Sequence, residues 1–322
     1  LSAFVSVNGT DTKESTSCKF DSSKKISYVV TFMKEDNKTV LETRKVSSGS
    51  VLGNLPSTRQ YFTKTGGNGT EYTSTSTITD DALVYPKLTK FELDSWTTIA
   101  TNVRNGNTGD YNVGDTKEVN LGTTYGTHTL RIANTTTPSE CSTSGFSQTA
   151  CGFVLEFADI ITTYEMNDTD TNVGGWPASS MYDFVNYDIY NSLPSDLKST
   201  IIDTTVVSSH GSTNGENFTS IDKLYLLSLK EVYSDWSTNS YSSYDSAKDL
   251  TRTLDYYINK NVTSSDDSET IKKYKTTDSW WWLREAHSNY DHSFFIVPTD
   301  DYSYFSTYAN TSGGVSPAFR IG

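Results

Sequence analysis

Trp280-Trp281-Trp282-Leu283-Arg284, then Phe294-Phe295-Ile296-Val297, then Val315 to Ile321: these three runs near the end of the chain read as β-strands and decide the fold. Trp281 and Trp282 are large apolar groups in a sparse core. Burying each aromatic contributes on the order of 1.5–3 kcal/mol. With Trp176 and Pro317-Ala318-Phe319 they are expected to anchor a core, not to form a ligand platform. Arg284 is expected either to pair with a buried carboxylate or to lie at a rim.

The segment inside this frame has a different texture. From Ala286 to Phe319 there is no Lys, Glu, Gln, Met or Trp. Every residue type present there can be encoded by a codon ending in a pyrimidine. Tyr, Ser, Asn and Asp loops of this kind supply rigid amphipathic contact area and adaptable hydrogen bonds, as paratopes do. His287, Asn289, Tyr290, Asp291, His292, Asp300, Tyr302, Tyr304, Tyr308 and Asn310 are therefore the expected ligand-binding residues. Trp281-Trp282-Leu283 and Val315-Pro317-Phe319 are the expected fixed frame.

Working outward, residues 234–270 are rich in Ser, Tyr and Asp and read as a long insertion with one helical stretch, Ala247 to Asn259. Val206-Val207 and Leu224-Tyr225-Leu226-Leu227 are strand candidates. A helix capped by Ser179 or Ser180 runs to about Tyr190, Pro194 breaks it, and a second runs from Ser195 to about Ile202. Strands are expected after the Gly114-Asp115 turn to Leu121, over His128–Ala133 and over Gly152–Asp159. Before about residue 91, Tyr28–Phe32, Thr39–Val46 and Leu83–Tyr85 alternate or are β-rich, with turns at Gly49, Gly53-Asn54 and Gly66-Gly67-Asn68-Gly69. Phe4-Val5-Ser6-Val7 reads as one strand in a Ser/Thr/Lys-rich leader.

The chain has 322 residues, enough for two or three domains. Its apolar fraction is 34%, low for a folded protein, but aromatics reach 13%, which disordered chains lack. Net charge is 26 − 39 = −13, against binding to a phosphate backbone or an anionic membrane surface. No apolar run approaches the roughly 20 residues of a spanning helix, so no direct membrane insertion is expected. The first residue is Leu, so the start is expected to be processed or trimmed. Cys141 and Cys151 flank a Ser/Thr/Gly-rich stretch and suit one local disulfide; the alternative is two unrelated thiols. Cys18 is left over.

Two resemblances cover most of the chain. Val30-Thr31-Phe32, the strand to Val46, Ser48-Gly49-Ser50-Val51, Leu55-Pro56, Tyr61-Phe62, Thr77-Ile78-Thr79-Asp80 and Leu83-Val84-Tyr85 resemble the internalin-type B-repeat, a β-grasp-like spacer of bacterial surface proteins. The family's Gly-Trp pair is absent. Residues 91–322 resemble a bacterial and phage surface domain of unknown function with a C-type-lectin-like fold. The ordered pieces are Trp96, Tyr111-Asn112-Val113-Gly114-Asp115, Gly174-Gly175-Trp176, Ser180-Met181, Leu193-Pro194-Ser195-Asp196-Leu197, Leu226-Leu227-Ser228, Glu231-Val232, Trp281-Trp282-Leu283-Arg284 and Gly314 to Ile321. Tyr182-Asp183 stands where that family commonly has an Arg. The 286–319 segment is similar to the variable region of diversity-generating retroelement proteins.

The fold implied is α+β. A linker (1–25) and a β-rich spacer (26–90, β-grasp-like or immunoglobulin-like) precede a C-type-lectin-like domain (91–322). Catalytic motifs are missing: there is no His-Glu-x-x-His, Cys-x-x-Cys, Gly-x-Ser-x-Gly or phosphate loop. His287 and His292 share a loop with Asp291, but two loop histidines are the simpler reading than a metal site. Asp168 and Asp170 lack an EF-hand context, and Asp80-Asp81, Asp266-Asp267 and Asp300-Asp301 read as solvated charge. The Glu-Pro-Asn and Trp-Asn-Asp triplets of calcium-dependent lectins are absent, and Cys141 and Cys151 lie too early for the redox site of sulfatase-activating enzymes. The expected function is a non-enzymatic extracellular binder, an adhesin or phage receptor-binding or display protein, without cofactor or metal. Its partner would be a protein or glycan on a cell surface, and it would act at a cell or virion surface, where copies can assemble. The alternative is a structural decoration protein of a phage particle or cell-surface filament.

Overall fold

A computed structural model describes residues 6–7, 10–11, 25–266, 268–299 and 305–322. It is mixed α+β, 22% helical and 32% strand. The chain divides into two compact units, Leu1–Leu88 and Thr89–Gly322.

In the first unit, alternation builds one sheet. Strands Val40–Ser47, Ser27–Met33, Ala82–Pro86, Tyr61–Lys64 and Asn68–Tyr72 lie in that spatial order. Ser27–Met33 and Ala82–Pro86 run parallel, and the other pairs are antiparallel. Every second residue points to one face, so Val30, Phe32, Tyr61 and Val84 meet Leu52 and Ile78 in a small core. Of the expected N-terminal strand, Ser6–Val7 pairs with Thr10–Asp11; Phe4, Val5 and Cys18 lie outside the described residues.

Among the described residues the second unit holds two larger sheets and two hairpins, Thr204–Ser208 with Phe218–Asp222 and Lys272–Tyr274 with Thr277–Ser279. One larger sheet orders Ala318–Arg320, Val154–Phe157, Thr127–Asn134 and Thr116–Asn120. The other orders Thr162–Tyr164, Gly313–Val315, Trp281–Ala286, Ser293–Val297 and Ser306–Tyr308. The terminal run expected as one strand is thus two, one in each sheet. Pro317 has no N–H for a ladder, and it sits where the chain crosses over. Its carbonyl accepts from Phe157 N at 3.0 Å, so the crossing clamps the sheets together.

All four indoles at the centre of this unit are buried with their N–H groups bonded. Trp281 donates to Thr270 O, Trp282 to Tyr164 O, Trp176 to Asp222 Oδ2 and Trp236 to Asp245 Oδ2, at 2.8–3.1 Å. Gly313 has no room for a side chain: a Cβ there would fall 2.0 Å from the Trp280 ring.

Arg284 lies within the tryptophan strand and is completely buried. Its two terminal nitrogens meet the two oxygens of Glu231 at 2.7 Å each. Nη1 also reaches Leu226 O at 2.9 Å, and Nε reaches Val207 O at 3.1 Å. Glu231 simultaneously closes a capping box with Ser228 on the helix Leu229–Val232, and accepts from the hydroxyls of Thr149 and Thr251. Thr149 belongs to the loop closed by the Cys141–Cys151 disulfide. Closing so short a loop is worth up to about 3 kcal/mol by restricting the unfolded chain.

Several sequence expectations need correction. Leu224–Leu227 is not a strand: only Tyr225 pairs, with Ala318, because the Leu226 and Leu227 carbonyls are taken by Arg284. The 247–259 helix shrinks to Asp255–Asn259, since Leu250 O is used by Ser147 N and Asp255 accepts from Thr135 and Thr136. The 234–270 stretch, expected as an insertion loop, is packed into the unit and buries Trp236, Leu254, Tyr257 and Val262. The second helix, expected to about Ile202, covers only Ser195–Lys198, whereas the first is capped by Ser179 as expected and runs from Ser180–Asp183 through a π-helical Phe184–Ile189 to Tyr190–Ser192. Trp96 opens a helix, Trp96–Arg104, capped by Ser95.

All six tryptophans lie in the second unit, so their fluorescence reports on it alone. Arg284→Met should destabilise that unit by about 3–5 kcal/mol, because Glu231 is left as an unpaired buried charge. Adding Glu231→Leu should cost much less than the sum of the two single changes. Urea titrations followed by tryptophan emission test this; additive costs would show that the pair is not coupled.

Candidate functional site

The residues expected to bind ligand divide into two groups. His287, Asn289, Tyr290, Asp291, His292, Tyr308 and Asn310 come together around the turn joining strands Trp281–Ala286 and Ser293–Val297, and the adjoining edge strand Ser306–Tyr308. Asp300, Tyr302 and Tyr304 lie outside the described residues. His287 belongs to the expected list but not to the surface: it is only 2% exposed.

The reason is a run of stacked rings. Tyr244 stacks on His287 (4.7 Å between centroids), His287 on Tyr290 (4.6 Å), Tyr290 on His292 (5.5 Å) and His292 on Tyr308 (5.0 Å), with interplanar angles of 22–28°. Phe295 flanks His287 at 5.2 Å. The ladder climbs from buried His287 to Tyr290 and Tyr308, which are 49% and 55% exposed. Asn289, Asp291 and Asn310 are exposed beside it. Since His287, Tyr290 and His292 each have a ring on two sides, they present edges outward rather than open faces. A phenol or imidazole edge offers hydrogen bonds.

Hydrogen bonds set the ladder's geometry. His287 Nδ1 accepts from Asn289 N at 3.2 Å, which leaves its proton on Nε2. Asp291 Oδ1 accepts from His292 Nδ1 at 2.9 Å. Ser288 N donates to Tyr244 O, and Ala309 N to His292 O. Asn172, which sequence reasoning missed, gathers the whole turn: its Nδ2 donates to the carbonyls of His287, Tyr290 and Ser293 at 3.2, 2.7 and 2.9 Å. Its backbone N donates to Asp291 O at 2.7 Å. Gly211 is needed beside it, because a Cβ there would meet Asn172 Oδ1 at 2.2 Å. Tyr244 was missed as well. Neither carries a local signal, since each acts across a long sequence separation.

Three buried titratable groups sit under the ladder. Burial, with the neighbouring His292, pulls His287 down to about 4. Burial, then the charge of Asp245, pushes Glu285 up to about 8, so it keeps its proton at neutral pH. Burial also raises Asp245 to about 6, against the Trp236 hydrogen bond. Elsewhere in the unit, Lys272 is pulled down to about 8 by burial, against Glu156. Its amino group is fully used, donating to Glu156 Oε2, Phe157 O and Ser316 Oγ at 2.7–2.9 Å, so its role is to hold the sheets.

Among the described residues no group of three or more His, Cys, Asp or Glu side chains could hold a metal ion. Nor, among those residues, is any helix long and apolar enough to cross a membrane. Residues 153–322, over half of the chain, match the model of a domain of unknown function, DUF6273, and the chain belongs to that family. The match contains Asn172, the tryptophan strand, Arg284 with Glu231, and every ladder residue. Neither a curated protein nor a solved structure matches the chain.

The three buried groups oppose one another with pH. His287 stabilises the fold fully above its ordinary value of 6.5, and that contribution is lost as pH falls through about 4. Glu285 and Asp245 work the other way: their contributions are full below 4.5 and 3.8 and are lost as pH rises through about 8 and 6. His287→Phe keeps a stacking ring and removes one titration. The variant should therefore lose less stability than the unaltered protein between pH 7 and pH 4, by about one proton's linkage. Parallel melting-temperature profiles for the two would count against a neutral buried His287.

Proposed function

We propose that the chain is a non-enzymatic extracellular binding protein, an adhesin or phage receptor-binding or display protein. The ladder end formed by Tyr290, Asp291, His292, Tyr308 and Asn310 is its recognition face. The observation that carries this is the ladder itself. Rings immobilised by stacking on a buried base lose little conformational freedom when a ligand arrives, which is the principle of a preorganised site.

The neighbouring sequence supports the same reading. The face lies in a stretch free of Lys, Glu, Gln, Met and Trp, between strands that carry the apolar frame. A frame that holds the fold with replaceable residues between is how a scaffold tolerates sequence change. This fits a C-type-lectin-like head diversified in residues 286–319, with the β-sheet unit before it serving as spacer. The Cys141–Cys151 disulfide fits an oxidising, extracellular setting.

The test is a panel of bacterial and animal cells stained with the fluorescently labelled chain. Tyr290→Ala with Tyr308→Ala should abolish staining of any cell type the unaltered protein labels, with the melting temperature kept within a few degrees. Undiminished staining would move the recognition face elsewhere. A large fall in melting temperature would make these tyrosines part of the core.

A further inference from the structure

A second segment closes around the ladder's exposed end. Asn167 N donates to Ala309 O at 3.0 Å, and Asn172 N donates to Asp291 O at 2.7 Å. Between these two ties runs Asp168-Thr169-Asp170-Thr171, held internally by Asn167 Nδ2 donating to Thr171 O. Asp168 and Asp170 are exposed, and among the described residues no ion pair joins either of them. The Asp291 side chain is 67% exposed. Two turns distant in sequence thus bring three exposed acidic residues to the turn and edge strand that carry Tyr290 and Tyr308.

No Lys or Arg occurs in either segment, 165–178 or 286–319. The surface therefore combines negative charge with aromatic rings, and neither segment contributes a Lys or Arg. The carboxylates do not converge on a metal position. A guanidinium or ammonium group suits such a surface: it pairs with carboxylates, and it is drawn to the ring face of Tyr308, which ends the ladder with a described ring on one side only. The overall charge of −13 would draw a cationic partner in from a distance.

From this juxtaposition we propose that the face recognises a basic protein segment, one that presents Arg or Lys side chains to Asp168, Asp170 and Asp291 and lays their stems along Tyr290 and Tyr308. The inference rests on the recognition face assigned above. A neutral sugar would need hydrogen bonds and ring contacts but not three carboxylates.

The probes are a 12-residue Arg/Ser peptide, its Glu/Ser counterpart, and maltohexaose and chitohexaose, each titrated into the full chain by calorimetry. The Arg/Ser peptide should bind, and its affinity should fall at least tenfold between 50 and 300 mM salt. Asp168→Asn, Asp170→Asn and Asp291→Asn together should weaken it tenfold or more. Neutralising Asp110, Glu118 and Asp249, which lie on other segments, should change it less than threefold. Equal effects of the two triple variants, or no preference for Arg/Ser over Glu/Ser, would overturn the proposal. So would salt-independent binding of either sugar that survives Asp168→Asn, Asp170→Asn and Asp291→Asn. Cell staining separates the two levels. If the tyrosine variant abolishes it and the asparagine variant leaves it intact, the recognition face stands and its basic partner does not. If neither variant changes it, the face itself is wrong.

Discussion

The buried ion pair between Arg284 and Glu231 is the constraint around which the second unit is arranged. Taking two charges out of water costs several kcal/mol each, and only complete hydrogen bonding offsets that. Here the offset is collected from the whole unit: Val207 from a hairpin strand, Leu226 from an irregular segment, Ser228 from a helix cap, Thr149 from the disulfide loop and Thr251 from the 234–270 stretch. Each donor or acceptor fixes its own segment, so the ion pair costs stability if any one is displaced and orders all of them when they are present. This also explains why the Ser/Tyr/Asp-rich stretch is packed. It supplies Thr251 to Glu231 and Trp236 to the core.

The ring ladder hangs from the same strand. Arg284, Glu285, Ala286 and His287 are consecutive, so whatever holds Arg284 also holds the ladder's base. Asn172 then fixes the turn through three carbonyls, and Ala309 fixes the edge strand. Rigid exposed rings are thereby produced by buried polar geometry, not by exposed contacts. That separation lets the outermost residues vary without disturbing the core, since Asn172 contacts backbone carbonyls that any residue supplies.

Much of this was legible in the sequence. Alternation and β-rich runs located strands in both units, because a half-buried strand must alternate and a buried one must be apolar. The indole run and Trp176 were recognisable as core because no polar surface accommodates so much apolar area. The contrast between the apolar frame and the Tyr/Asn/Asp segment pointed to the turn where Tyr290, His292 and Tyr308 meet. The pairing of Cys141 with Cys151 was suggested by their short spacing across a Ser/Thr/Gly-rich stretch and by the overall composition.

Tertiary structure decided what spacing cannot express. Whether Arg284 faced a carboxylate or a rim was open until Glu231, far away in sequence, was placed against it. His287 and His292 are equivalent in a loop read as text; stacking between Tyr244, Tyr290 and Phe295 buries the first and leaves the second near solvent. Asn172 and the Asp168–Asp170 turn join the face only through backbone bonds to Asp291 and Ala309. Local sequence determines which residues want burial and which backbone shapes are easy. Which polar groups satisfy one another is a property of the folded chain, because a buried hydrogen bond is specified by two partners and sequence displays them one at a time.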